Sequence, residues 1–124
     1  MPPPPQWAQD LAIRVALDEG CDTLPELTWR RSRQATHSSG KAIFDGRVIV
    51  TAGKERRDQK LVLLHELAHW LMPDDEHHGP AFWDKVWQLY RRYGVPLRYA
   101  KEREGQYRKG ALAAYRRNRQ ERMG

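Results

Sequence analysis

His65-Glu66-Leu67-Ala68-His69 is the stretch of this 124-residue chain whose residue types and spacing suit metal chemistry. Residues four apart on a helix lie one turn apart on the same side, so two imidazoles at this spacing can reach a single ion. The carboxylate of Glu66 stands at the edge of that face. There it can touch a water on the ion without taking a ligand position. Zinc lowers the pKa of such a water to about 7, and a carboxylate can take its proton as it attacks a carbonyl. His65 and His69 are therefore the candidate metal ligands, and Glu66 is the candidate general base.

A catalytic zinc usually takes three protein ligands and keeps a fourth position open. His77-His78-Gly79-Pro80 lies just beyond the motif, at the start of the next predicted helix. A loop there can fold back over the ion. His78 is the chosen third ligand, because it precedes a permissive glycine and immediately abuts the helix start. His77 reads as solvated, or as a group behind the ligands. Asp74, Asp75 and Glu76 compete. Asp75 lies ten residues after His65, where the metzincin pattern puts its third ligand, but Met72 stands where that pattern needs glycine. His37 sits in a turn cluster with no spacing partner. The ion itself can stabilise an oxyanion as a Lewis acid. Tyr90, Tyr93, Tyr99 and His37 are the side chains of a type that could assist, and none is singled out.

These groups need a rigid support. Residues 58–72 have helical spacing: Leu61, Leu64, Ala68 and Leu71 form one stripe, and Val62, His65, Glu66 and His69 form the adjacent face. Pro73 disfavours helix at Met72 and ends the element nearby. Pro80 suits the first residue of the next helix. There Trp83, Val86, Trp87 and Tyr90 fall at i, i+3, i+4 and i+7, and Gly94 and Pro96 close the element. That aromatic stripe reads as core rather than as a stacking platform. A last helix is predicted within 98–121, helped by Ala111, Leu112, Ala113 and Ala114. Upstream, Trp7, Leu11, Ala12 and Val15 mark an amphipathic helix over 6–19, stopped by Gly20. Strands are predicted at about 26–34, 41–44 and 47–51. His37-Ser38-Ser39-Gly40 reads as a turn cluster, and Asp45-Gly46 as a hairpin turn whose two positions both favour positive φ. The expected fold is α+β: an N-terminal helix, a three-stranded antiparallel meander, the motif helix and further C-terminal helices.

The composition suits a soluble globular domain, 40% hydrophobic and 31% charged. Residues 1–6 read as a Pro-rich leader, 7–97 as one metallohydrolase domain and 98–124 as a basic helical extension. The net charge of +6 is uneven. Residues 1–90 carry 11 Lys/Arg against 13 Asp/Glu, whereas residues 91–124 carry 11 against 3. Arg91, Arg92, Arg98, Lys101, Arg103, Arg108, Lys109, Arg116, Arg117, Arg119 and Arg122 are interleaved with Tyr93, Tyr99, Tyr107 and Tyr115. Such cations neutralise phosphates and such rings stack on bases, so the segment suits nucleic acid, with a solvated helical face as the plain alternative. Cys21 is the single cysteine, which excludes an intrachain disulfide and a Cys-rich zinc site and fits a reducing cytoplasm. Cys21 itself reads as a small, half-buried turn residue. No secretory signal is read at the N-terminus, and no apolar run approaches the roughly 18 residues of a membrane span.

His65-Glu66-Leu67-Ala68-His69 followed by His78-Gly79-Pro80-Ala81-Phe82-Trp83 resembles the SprT-like and WLM group of minimal zincin metallopeptidases. In that group the His-Glu-x-x-His helix is followed by a His-Gly-x-x-Phe/Trp segment. The resemblance implies Zn²⁺ on His65, His69 and His78, catalysis by Glu66, structural roles for Phe82 and Trp83, and a protein or peptide substrate met near nucleic acid. It covers residues 7–93 and is sharpest over 65–83. Two features depart from the group: one cysteine cannot build its C-terminal zinc ribbon, and the loop between His69 and His78 is short. In zincins a sheet-edge strand commonly binds extended substrate through main-chain hydrogen bonds; 41–44 and 47–51 are the candidates here. Two rival functions share these residues. One is a metal-dependent, nuclease-like hydrolase of a non-peptide bond. The other is a non-catalytic nucleic-acid-binding module with a structural metal site.

Overall fold

The change of period along the chain becomes, in a computed structural model, an α+β arrangement of helices and one open sheet. The structure describes residues 3–31, 37–43, 45–73, 78–104 and 108–123, without the side chains of 108 and 118–123. Among these, five helices and three strands run in the order α1 (Gln6–Asp18), β1 (Glu26–Arg31), β2 (Ser39–Ile43), β3 (Arg47–Ala52), α2 (Arg56–Leu71), α3 (Pro80–Tyr93), α4 (Leu97–Arg103) and α5 (Arg108–Met123). They fall into two compact units, Met1–Leu71 and Met72–Gly124. No helix among the described residues is long and apolar enough to cross a membrane.

In the first unit, α1 buries Ala8, Ala12, Val15 and Ala16; of the expected stripe, Ala12 and Val15 are buried, while Trp7 and Leu11 are half-buried. Trp7 at its start meets Trp29 of β1 edge-on, with ring centres 5.8 Å apart. The Arg56 guanidinium lies 3.9 Å from the centre of the Trp7 ring.

The sheet corrects the expected meander. Its order is β1-β3-β2, with β1 parallel to β3 and β2 antiparallel to it. Strand directions still alternate along the chain, but β3 inserts between the other two. The reason is burial. β3 carries the cleanest alternation, with Val48, Val50 and Ala52 buried, and a central strand satisfies its main chain on both sides. Trp29 pairs with Val50 in the β1–β3 register, and both side chains are buried. The central place of β3 also removes 47–51 as a candidate edge strand, leaving β2 at the edge beside it.

The turn differs as well. β2 ends at Ile43 and β3 begins at Arg47, a three-residue connection. Gly46 has φ 89°, and Asp45 is not among residues with positive φ. This suits a tight turn followed by a left-handed residue rather than the two-residue hairpin expected from Asp-Gly. Ser39 and Gly40, read as turn residues, belong to β2. Residues 32–34 of the first expected strand, and Phe44 of the second, lie outside the described residues.

α2 is buried over every residue from Leu61 to Ala68. A helix covered nearly all round is a core element, which makes it a stiff platform.

In the second unit, α3 contributes Phe82, Trp83, Val86, Trp87, Leu89 and Tyr90, all with no exposed surface. Truncating one such aromatic to alanine typically costs about 3–5 kcal/mol. α3 ends where Val95 N–H donates to the Tyr90 carbonyl across Gly94. Beyond it the expected single helix is two, α4 and α5. Tyr90 Oη donates to Glu104 Oε1 at 2.6 Å, drawing the residue after α4 into the core. Trp87 Nε1–H donates to the Ala111 carbonyl of α5 at 3.0 Å.

Candidate metal centre

His65 and His69 stand on successive turns of α2, with ring centroids 5.1 Å apart. The pairing follows from helix geometry alone. His65 is 8% exposed and Glu66 is 7% exposed, while His69 is half-buried. His65 Nε2 and Glu66 Oε1 are 4.0 Å apart. That separation is too long for a direct hydrogen bond and leaves each group its own direction.

The β2 edge meets the Glu66 side chain. A methyl group at Gly40 would stand 2.5 Å from Glu66 Cγ, 3.1 Å from Glu66 Cδ and 2.9 Å from Val62 Cγ1. Ordinary carbon contacts are about 3.5–4.0 Å, so only glycine admits the carboxylate stem here. Gly40 itself is exposed on its other side, as are Ser39 and Lys41. The general-base candidate therefore lies directly beside the solvent-facing edge of the sheet.

A polar clasp fixes the start of β2 against α2. Asp58, 1% exposed in the first turn of α2, accepts a hydrogen bond from the Ser38 backbone N–H. Ser38 Oγ accepts from Gly53 N–H at 2.8 Å, and Gln59 Nε2 donates to the Gly53 carbonyl at 2.7 Å. Buried donors left without partners cost about 1–3 kcal/mol each, so the clasp is strongly favoured once formed.

In the second unit His78 lies immediately ahead of α3. Its ring is tilted 31° to that of Trp83 with centroids 5.6 Å apart, and it meets Phe82 edge-on at 4.9 Å. Two fully buried aromatics thus restrict the imidazole.

His65, His69 and His78 lie close enough to hold a metal ion: one ligand atom from each, all within 4.8 Å of one another. Donors bound to a shared tetrahedral zinc at 2.0–2.1 Å are about 3.3 Å apart, a separation within that bound. Three imidazoles with a carboxylate nearby suit zinc in donor type as well as number.

Asp74, Asp75, Glu76 and His77 lie outside the described residues, as does Tyr107. His37 is exposed and is not one of the clustered donors among the described residues. Tyr90 is fully buried with its hydroxyl engaged by Glu104, and Tyr93 is 7% exposed. Tyr99 is half-buried. Of the basic segment, Arg92, Arg98, Lys101, Lys109, Arg116 and Arg117 are exposed. Arg92 lies over the Tyr93 ring and Lys101 over the Tyr115 ring, so two of the tyrosine faces already meet cations. Arg117 binds Asp84. Cys21 is half-buried, and burial followed by Glu19 and Asp22 pushes its thiol pKa up, away from a reactive thiolate.

Gly40, Ser38 and Asp58 were not singled out from the sequence. The signal for Asp58 was present: it precedes Leu61, Val62 and His65 by three, four and seven residues on α2, and a carboxylate on a buried stripe demands a partner. Nothing local marks Gly40. Compared with family models, curated proteins and solved structures, the chain gives no match in any of the three.

Proposed function

We propose that the chain is a zinc-dependent peptidase of the minimal zincin type, with His65, His69 and His78 as ligands and Glu66 as general base. The observation that carries this reading is the convergence of three imidazole donors within 4.8 Å, beside a carboxylate that is almost wholly buried. Zinc held there would lower the pKa of water to about 7 and polarise a carbonyl oxygen.

The protein's own residues do the rest. Glu66 accepts the proton that water loses on attack and delivers it to the departing amine, so one carboxylate serves both halves of the reaction. Gly40 lies against its stem, which limits the rotamers it can adopt. The outer edge of β2 offers main-chain donors and acceptors to an extended peptide. Such pairing would lay the scissile bond alongside Glu66, because Gly40 of that strand touches it.

Glu66→Gln keeps the size of the side chain and removes its basicity. The variant is expected to bind zinc as the parent does and to lose casein hydrolysis by about 10²–10⁴-fold. Parent-level cleavage by Glu66→Gln would remove Glu66 from the mechanism. Cleavage of RNA instead of casein by the zinc-loaded parent would move the assignment to phosphodiester hydrolysis.

A further inference from the structure

The basic C-terminal helix makes an unusually close contact with the ring that supports His78. A methyl group at Gly110 of α5 would stand 2.8 Å from Trp83 Cδ1, 2.9 Å from Trp83 Nε1 and 3.5 Å from the His78 carbonyl oxygen. Inside a helix, glycine is about 1 kcal/mol worse than alanine, so its presence there calls for a packing reason. Trp83 has no exposed surface, and its ring lies 5.6 Å from the His78 imidazole, centre to centre, tilted 31° to it.

Other contacts hold α5 in this place. Trp87 donates from Nε1 to the Ala111 carbonyl, the residue after Gly110. Tyr115 meets the Trp87 ring at 5.8 Å, and Arg117 reaches Asp84 of α3 at 2.6 Å. Trp87 in turn lies 6.3 Å from Trp83, ring centre to ring centre. A packed aromatic column therefore runs from α5 to the imidazole.

We infer that α5 is a positioning element for the metal site: Gly110 lets its backbone close on Trp83, and Trp83 holds His78 in the orientation a metal ion requires. This rests on the zinc-site reading above. Outer groups that orient a ligand are typically worth 10–100-fold in metal affinity. Gly110 and Trp83 qualify as such groups without touching an ion themselves.

Two variants of the full chain test it. Gly110→Ala presses α5 away from Trp83, and Ala113→Pro interrupts α5 at an exposed position while sparing every packed ring. Zinc affinity is read by competition with a chromophoric chelator. The histidine ring signals of the metal-free protein are read by NMR, where the shielding of His78 by Trp83 gives it a distinctive position. The expected result is a loss of zinc affinity of about 10–100-fold, with His78 signals displaced and those of His65 and His69 unmoved. Should Gly110→Ala not fold, Ala113→Pro carries the same readings. Parent-level affinity in the folded variants overturns the role of α5, and so does equal displacement of all three histidines, which would mark general loosening. A parent that binds no zinc at all sinks the metal-site reading instead, and is told apart from failure of this one.

Discussion

Gly40→Ala is the substitution that most sharply links the sheet edge to the chemistry. The added methyl would be 2.5 Å from Glu66 Cγ and 2.9 Å from Val62 Cγ1. Restoring ordinary contacts of about 3.5–4.0 Å requires a displacement of roughly 1 Å, taken up by β2 or by the Glu66 stem. Overpacking of this size typically costs about 1–3 kcal/mol. A reacting group misplaced by about 1 Å can lose roughly 10² in rate. Turnover of a peptide substrate is therefore expected to fall about a hundredfold, with zinc affinity near the parent value because the three atoms nearest the methyl belong to Glu66 and Val62. Denaturant unfolding supplies an independent reading. In a Glu66→Ala background the clashing Cγ and Cδ are gone, so the stability penalty of Gly40→Ala should shrink to the part owed to Val62. Parent-level turnover, or the same penalty in both backgrounds, would refute the contact.

Two more outcomes follow from the packing of α2. Asp58→Ala strands the buried Ser38 N–H and should destabilise by about 1–3 kcal/mol, while Asp58→Asn keeps an acceptor and should cost less; urea midpoints decide the order. Lys60 has its pKa pushed below 10.5, first by burial and then by Arg56. Its folded value lies below its unfolded one, so the protonated form costs stability at neutral pH and that cost fades as pH rises through the folded value toward 10.5. Lys60→Met should therefore unfold at a higher temperature at pH 7, by a margin that narrows on approach to pH 10.5. A margin independent of pH would show that the charge is not responsible.

Helices were legible in the sequence because each is specified by neighbours three and four residues away. The stripes on α2 and α3, the proline at the start of α3 and the alanines of α5 all act within a few turns. For the same reason His65, Glu66 and His69 could be placed on one helix face without a structure. His78 was harder, since it comes from beyond the helix; the Gly79-Pro80 pair after it was the usable signal. Strand order was not legible. The β2–β3 turn is a local signal, but the pairing of Trp29 with Val50 joins residues far apart in the chain and is decided by what they bury together. The Ser38–Asp58 bond and the approach of Gly40 to Glu66 are products of that strand order. The break between α4 and α5 likewise depends on Tyr90 capturing Glu104 across the unit.

Zinc titration of the parent against His65→Ala, His69→Ala and His78→Ala bears most directly on the central claim. A parent that takes up a single ion, with each substitution weakening that uptake by at least an order of magnitude, is the expected result. The contrary finding is a parent with no tight zinc, or a His78→Ala variant that binds as strongly as the parent.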